Sequence, residues 1–328
     1  MCLRDGVTPA RLTLAACLLL LLPSAASGQL TISPTVEAQA GGSPVVVVPV
    51  VVRDQSGSDV IDLTAGSFEI QDKGKVQTIS GFELVRRGVP AVDGKPTQQF
   101  TAYLVDDSLV QDTGDFKHMI DAVKRTLATI EPNDNVAIYT TFCSAALATW
   151  TNDAARVRQF LESLSPHAPG PGLCRVSQSE VLHLTLVNAL VSRMSGLVGL
   201  RDIVIVSLGY EAHGDQQRQL ASVTEAANQA RVRISILRVE LTPAGGPSLI
   251  VTEGLEELCA GTGGLYGEAR DAGSRPLRLP DAVYFLSFTP EGVKADGSAH
   301  RLKVVVKDPR KLTVHARKSY VIPKGGRS

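Results

Sequence analysis

The side chains in this sequence that could do chemistry do not form any common catalytic motif. The chain has no GxSxG nucleophile elbow and no GxxxxGK[ST] phosphate-binding loop. Asp106-Asp107 lacks the D-x-D spacing of aspartate-based phosphotransferases. The histidines form no HxH or HExxH pair, and they stand at His118, His167, His183, His213, His300 and His315. The sequence therefore predicts a protein that is not an enzyme and has no resident cofactor.

Polar residues that follow predicted strands have two interpretations. Residues 106–108 directly follow an apolar strand, and a second polar loop follows a later strand. In the first interpretation such loops form a rim that binds another protein, made of residues 106–114, 166–178 and 208–215. The rim side chains expected to contact the partner are Asp107, Asp112, Glu211 and His213. In the second interpretation the same residues only end strands and begin helices.

The first 28 residues predict export. Arg4 and Arg11 precede an apolar run at 12–22, and small residues that end at Gly28 suit cleavage by a signal peptidase. The apolar run is shorter than the ~20 residues that span a bilayer. An alternative is a lipid anchor on Cys17, because the preceding residues resemble a lipobox. We expect a secreted or periplasmic, cell-envelope location in a bacterium.

Composition excludes several classes of protein. Hydrophobic residues make up 44% of the chain and charged residues 20%, which indicates a folded globular protein. The 33 basic and 33 acidic residues cancel, so the basic surface of a nucleic-acid-binding protein is not expected. After residue 28 no apolar stretch is long enough to span a membrane. The expected partner is therefore another protein.

The order of strand and helix patterns predicts an α/β centre between β-rich ends. We divide the chain into a signal peptide (1–28), a β-rich segment with a linker (29–98), an α/β domain (99–270) and a β-rich segment (271–328). Strands alternate with helices in the centre, which predicts a doubly wound, mostly parallel sheet covered on both faces. Thr151 or Asn152 is expected to cap one of these helices. Whether the two β-rich ends form one sandwich stays open.

Five stretches resemble the VWFA-related family of acidobacterial type. They are residues 68–74, 103–108, 132–137, 258–264 and 314–320. In order, they are similar to that family's "DF-x-V-x-E-D-G" hairpin, its first α/β strand, the start of its second strand, its "LA-x-x-TGG" element and its closing "V-x-AR-x-GY". The resemblance covers nearly all of the chain after the signal peptide, and it implies a von Willebrand factor A-like domain with flanking β segments.

The resemblance also implies a metal site that is incomplete. Domains of this type hold Mg²⁺ with a D-x-S-x-S motif, a middle-loop hydroxyl and an aspartate after the fourth strand. Asp106 and Ser108 match the first two ligands, and Ser179, or alternatively Ser177, can stand in for the middle-loop hydroxyl, but Val110 and Leu208 stand where a serine and an aspartate would be. Because Mg²⁺ requires oxygen ligands, we expect it to bind weakly or not at all.

Three cysteines remain after the signal peptide. In a fold of this type, Cys143 and Cys174 would lie near the same edge of the sheet, so the resemblance implies a disulfide between them. Cys259 lies on the apolar side of a predicted helix and is expected to be a buried thiol.

Three functions are compatible with these observations. The leading hypothesis is an exported protein-binding or adhesion-type module with a degenerate metal-dependent site. The first alternative is a structural scaffold in a cell-envelope assembly. The second is a hydrolase whose site is assembled from distant residues. An exposed apolar rim favours the first, and a deep pocket with clustered acidic groups favours the last.

Overall fold

The computed structural model describes ten segments of the chain. They are residues 45–91, 93–107, 113–128, 130–141, 146–165, 181–209, 215–240, 253–269, 277–291 and 297–322. Among these residues no helix has the length and apolar character needed to cross a membrane. Cys143, Cys174, Ser108, Asp112, Ser179, Glu211 and His213 lie outside the described residues.

The described segments form a mixed α/β structure. The strands are β1 (Val46–Arg53), β2 (Phe68–Asp72), β3 (Lys75–Gln77), β4 (Ile79–Arg86), β5 (Gln99–Val105), β6 (Asp134–Thr140), β7 (Ala146–Thr151), β8 (Leu200–Ser207), β9 (Arg233–Val239), β10 (Tyr266–Ala269), β11 (Ala282–Phe288), β12 (Ala299–Val306), β13 (Thr313–Ala316) and β14 (Ser319–Val321). The helices are α1 (Thr113–Thr126), α2 (Ala154–Ser163), α3 (Val181–Met194), α4 (Asp215–Gln229) and α5 (Glu253–Thr262).

The central sheet has the strand order β10-β9-β8-β5-β6-β7. All neighbouring strands are parallel except β7, which returns antiparallel on β6. The parallel order agrees with the sequence prediction of a mostly parallel sheet. Strands separated by helices produce this arrangement because a parallel neighbour can be reached only by a crossover connection.

Helices cover both faces of the central sheet. Strand β5 shows how the two faces divide: Tyr103 and Val105 point to one core and Ala102 and Leu104 to the other. The first core contains side chains of α1 and α2, and the second contains side chains of α3, α4 and α5. Successive residues of a strand point to opposite faces, so a strand buried on both faces is apolar throughout.

The N- and C-terminal β segments share two four-stranded sheets. Their orders are β13-β1-β11-β4 and β14-β12-β2-β3, so each sheet combines strands from before and after the central α/β region. A single apolar core joins them, with Val48 and Val50 from one sheet and Ile70 and Leu302 from the other. The two ends therefore pack together as a β-sandwich.

Proline 49 lies in a strand that has neighbours on both sides. The sequence predicts an edge or a bulge for a strand with an internal proline. Strand β1 instead lies between β11 and β13, with Pro49 in register with Phe285. Pairing with β13 begins only at Val50, so at the proline β1 has a single neighbour, as an edge strand does.

The prediction for the cap of α2 is wrong. Asp153 caps this helix, and its Oδ1 accepts hydrogen bonds from the backbone N–H groups of Ala155 (2.9 Å) and Arg156 (3.0 Å). Thr151 ends β7, and the Asn152 side-chain amide donates to the Pro132 carbonyl oxygen. All three side chains are good caps, and the strand boundary decided which of them lies at the helix start.

An arginine network connects the sandwich to the central sheet. Arg87, just after β4, donates to Asp134 at the start of β6 (2.8 Å) and to Asp281 before β11, and it lies 3.7 Å from Glu131. Burial by itself lowers the pKa of Arg87, but the Asp134 hydrogen bond and the three carboxylates raise it above its ordinary value. This network therefore ties three segments that are far apart in the sequence.

Candidate functional site

The carboxyl ends of three adjacent strands bring polar side chains together. Strand β5 lies between β6 and β8, with Val105 in register with Thr140 and with Val206. The residues that directly follow β5 and β6 continue this parallel pairing. The Asp106 N–H donates to Val206 O (2.8 Å), and the Thr141 N–H donates to Val105 O (3.0 Å). This edge is where doubly wound folds usually bind ligands.

Two buried hydroxyls hold the carboxylate of Asp106. Ser207 Oγ donates to Asp106 Oδ2 at 2.6 Å, and Thr141 Oγ1 donates to Asp106 Oδ1 at 3.1 Å. The Thr141 hydroxyl also lies 3.0 Å from Asp107 Oδ1, and it accepts from the Asp107 N–H at 3.2 Å. We refer to Asp106, Asp107, Thr141 and Ser207 as the carboxyl-edge cluster. None of its four members is more than 1% exposed.

A small cavity lies beside Asp106. Its volume is about 10 Å³, which is close to the minimum for one water molecule. The other lining residues are all aliphatic: Leu104, Leu184, Val187, Ile205, Leu220, Leu255 and Leu258. Removing a carboxylate from water into such surroundings is costly unless hydrogen bonds compensate it. The hydroxyls of Thr141 and Ser207 provide that compensation.

Leu208 occupies one of the two positions at which the predicted metal motif is incomplete. This residue is buried (3% exposed) in the core beneath α1 and α2, at the position where the predicted metal motif would need an aspartate. The neighbouring Ser207 instead organises the turn, because its hydroxyl accepts from the Gly209 N–H at 3.1 Å. A leucine here contributes to packing and supplies no oxygen to a cation.

The carboxyl-edge cluster contains the kind of oxygen atoms that bind Mg²⁺, but only one member belongs to the predicted ligand set. Two carboxylates and two hydroxyls are hard ligands. Of the predicted ligands, the structure describes only Asp106. In the described part of the chain no three His, Cys, Asp or Glu residues group as a metal site would require. Weak metal binding stays a prediction.

Of the four side chains predicted to contact the partner, the structure describes only Asp107. Its side chain is completely buried, and it contributes to the carboxyl-edge cluster. The predicted disulfide stays a prediction, since both of its cysteines lie outside the described residues. Cys259 is a free, buried thiol, and burial raises its pKa to about 12.

Sequence reasoning missed Thr141. Thr141 directly follows β6, and β6 lies beside β5 in the sheet. This place at the end of a neighbouring strand is the signal that could have identified it.

Replacing Thr141 is expected to destabilise the site measurably. Thr141→Val keeps the shape but removes the hydroxyl that the two carboxylates share, which should cost ~1–3 kcal/mol of unfolding free energy. Urea unfolding checks this value. Thr141→Ser is the matched control because it keeps the hydroxyl, and it should lose clearly less. Equal losses in the two variants would show that the hydroxyl is unimportant.

Comparison with known proteins gives only distant likenesses. No family model matches the chain, and no curated protein matches it. Among solved structures, the SpRpn10 VWA domain is similar at 13% identity and a TM-score of 0.37, over 54% of this chain and 91% of that one.

A second solved structure is larger than this chain. The human COPII-coat protein Sec24c is similar at 7% identity and a TM-score of 0.36, over 77% of this chain and 48% of its own. This chain thus matches about half the length of Sec24c. Neither likeness is strong enough to assign a family or a partner, so the predicted membership of the VWFA-related family stays a prediction.

Proposed function

We propose that this chain is an exported, non-catalytic, von Willebrand factor A-like module that binds another protein through the loops at the carboxyl edge of its central sheet. The observation that carries this proposal is the carboxyl-edge cluster. Hydrogen bonds from Thr141 and Ser207 to Asp106 join the ends of β6, β5 and β8. Such a buried cluster makes that edge a rigid base for the loops that begin there.

The connections after β5 and β8 contain the predicted contact residues. Asp112 follows β5 in the chain, and Glu211 and His213 follow β8. Binding residues are found disproportionately on loops that a rigid scaffold positions. A protein partner suits this arrangement because several loops at one edge can present a broad contact surface.

Binding in this proposal does not depend on a metal ion. The hydroxyl groups of Thr141 and Ser207 already interact with Asp106, and Leu208 is part of the core. Export rests on the first 28 residues of the sequence, whose charged start, apolar run and small residues suit a signal peptide.

Capture from an envelope fraction tests the function. The purified chain is immobilised, and the amount of captured partner is compared with that captured by a rim variant that combines Asp112→Ala, Glu211→Ala and His213→Ala. The rim variant should bind about tenfold more weakly, equivalent to ~1.4 kcal/mol. The control variant combines Glu83→Ala and Glu257→Ala, which removes exposed carboxylates elsewhere, and it should bind normally.

Three outcomes contradict the proposal. Equal capture by the rim and control variants would favour the scaffold alternative, in which other surfaces make the contacts. Loss of capture in EDTA would show that the interaction needs a divalent cation. Cleavage of the captured protein by the wild-type chain would favour the hydrolase.

A further inference from the structure

The two sheets of the β-sandwich differ in what their outer faces meet. The sheet β13-β1-β11-β4 packs Val51 and Val283 against Leu200 of the central sheet, and all three side chains are buried. On the outer face of the other sheet, β14-β12-β2-β3, Arg301 and Lys303 are exposed. The second sheet therefore presents its outer face to solvent, where a partner can reach it.

Basic side chains predominate on this outer face. Lys303 on β12 is in register with Gln71 on β2, which is in register with Val76 on β3, so the three residues form a row across the sheet. Arg301 lies two residues before Lys303 and points to the same side, whereas Leu302 between them is buried in the sandwich core. We refer to this surface as the basic face.

The turn between β2 and β3 adds two lysines at the end of the basic face. Lys73 and Lys75 flank Gly74, and both lysines are exposed. Lys73 (φ +47°) and Gly74 (φ +84°) have the left-handed backbone of a tight two-residue hairpin turn. The Lys73 N–H donates to Arg301 O at 3.0 Å, so the turn is held directly beside β12.

Carboxylates offset little of this positive charge. Strands β2, β3, β12 and β14 contain two of them, Glu69 and Asp72. Asp72 is buried on the inner side of the sheet, where it accepts a hydrogen bond from the Tyr320 hydroxyl at 2.8 Å. Glu69 pairs with Lys307 at 2.7 Å, and hydrogen bonds from Lys307 and Gln71 lower its pKa, so it remains charged. The basic face therefore keeps an excess of positive charge.

Protection of the sheet edge does not explain the basic face. A lysine on an edge strand hinders pairing with another chain, which accounts for Lys75 on β3. Arg301 is not at an edge, because it is in register with Ser319 on one side and accepts from the Lys73 N–H on the other. Val76 lies on the edge strand but is an apolar side chain that is 64% exposed. These residues fit a partner that takes both positive charge and an aliphatic group.

The types of side chain favour a lipid surface over a protein. Protein interfaces are enriched in aromatic residues and arginine and depleted in lysine. The basic face has lysines at 73, 75, 303 and 307 and a single arginine, with no aromatic side chain at the outward positions of β2, β3 and β12. Flexible lysines can follow mobile headgroups while their aliphatic stems lie along apolar surface.

We propose that the basic face binds the anionic headgroups of a lipid bilayer, with Lys73, Arg301 and Lys303 as charged contacts and Val76 as the apolar one. Each basic side chain close to an anionic membrane strengthens binding by about fivefold. A flat sheet face allows several such side chains to reach the membrane surface together. These residues differ from those of the proposed protein-binding loops, so either function can fail without the other.

Cosedimentation with lipid vesicles tests this contact. The protein is used in its expected exported form, residues 29–328, so that the apolar signal segment does not bind the vesicles. One set of vesicles contains phosphatidylcholine alone, and the other contains equal parts of phosphatidylcholine and phosphatidylglycerol. Binding should be at least about tenfold stronger to the phosphatidylglycerol vesicles. It should be lost when sodium chloride is raised from about 50 mM to about 500 mM, because salt screens charges at a surface.

Variants separate the basic face from general charge effects. Arg301→Gln combined with Lys303→Gln should weaken binding to the phosphatidylglycerol vesicles by about 25-fold. Val76→Ser should weaken it by about threefold, because less apolar surface leaves water. The matched control combines Arg156→Gln with Arg158→Gln, which removes the same charge from exposed positions on α2, and it should bind as the wild type does.

Three outcomes would overturn the proposal. The first is equal sedimentation with the two kinds of vesicle. The second is an equal loss of binding in the double variant of the basic face and in the control. The third is an acidic protein that binds the wild-type chain but not the Arg301→Gln, Lys303→Gln variant while neither binds vesicles, which would assign the basic face to a protein partner.

Discussion

Asp202→Ala is expected to lower the free energy of unfolding by about 3–5 kcal/mol. Asp202 on β8 and Arg233 on β9 lie opposite each other, and their side chains are 0% and 4% exposed. Arg233 Nε donates to Asp202 Oδ1 (2.9 Å), and Arg233 Nη2 donates to Asp202 Oδ2 (2.6 Å). Removing the carboxylate leaves a buried positive charge with no partner for these two N–H groups.

A double variant is the control for this prediction. Asp202→Leu together with Arg233→Met replaces both charges by apolar groups of similar volume, and this exchange is often neutral or stabilising. Urea unfolding of the single and double variants measures the difference. If the free energy of unfolding of Asp202→Ala is within ~1 kcal/mol of the wild-type value, the ion pair contributes less to stability than its geometry suggests.

Gly264→Ala is expected to cost about 3 kcal/mol, which is large for one added methyl group. A Cβ at this position would lie 1.9 Å from the carbonyl oxygen of Ile234 and 2.5 Å from its carbonyl carbon. Both atoms belong to the backbone of β9, which cannot move without disturbing its pairing with β8. The chain passes so close to the sheet because Gly264 connects α5 to β10.

Gly196→Ala is the matched control for Gly264→Ala. A Cβ at residue 196 meets nothing within 4 Å, and the backbone there has no positive φ. The substitution should therefore change the free energy of unfolding by no more than about 0.5 kcal/mol. Thermal and urea unfolding of the two variants give the comparison. Similar stabilities for the two would show that the backbone at Gly264 relaxes at little cost.

Local patterns in the sequence were sufficient to predict most individual elements. Phe116, Met119 and Val123 recur at helical spacing in the sequence, and these side chains are buried on one face of α1. The alternation of Leu302 with Lys303 is typical of a strand, and β12 buries the leucine and exposes the lysine. Such predictions succeed because the repeat of a helix or strand is visible within a short window. Boundaries were less accurate, since Asp153 rather than Thr151 or Asn152 caps α2.

Contacts between distant segments were not predictable in the same way. Nothing near Asp202 in the chain indicates that its charge is balanced by Arg233. Thr141 joins the carboxyl-edge cluster only because β6 lies beside β5. Each of these relationships depends on strand order, which a local pattern does not contain.

The amino-acid sequence by itself determined that the centre of this protein alternates strands with helices and that β structure lies on both sides of it. Hydrophobic periodicity carries that information because it reflects which side of each element must be buried. Only the tertiary structure decided that the two β regions form a single sandwich, that Thr141 and Ser207 hold Asp106, and that Asp202 pairs with Arg233. Those arrangements depend on packing between residues that are far apart in the chain. Local sequence patterns therefore do not show which charged side chains become buried or which groups pair with them.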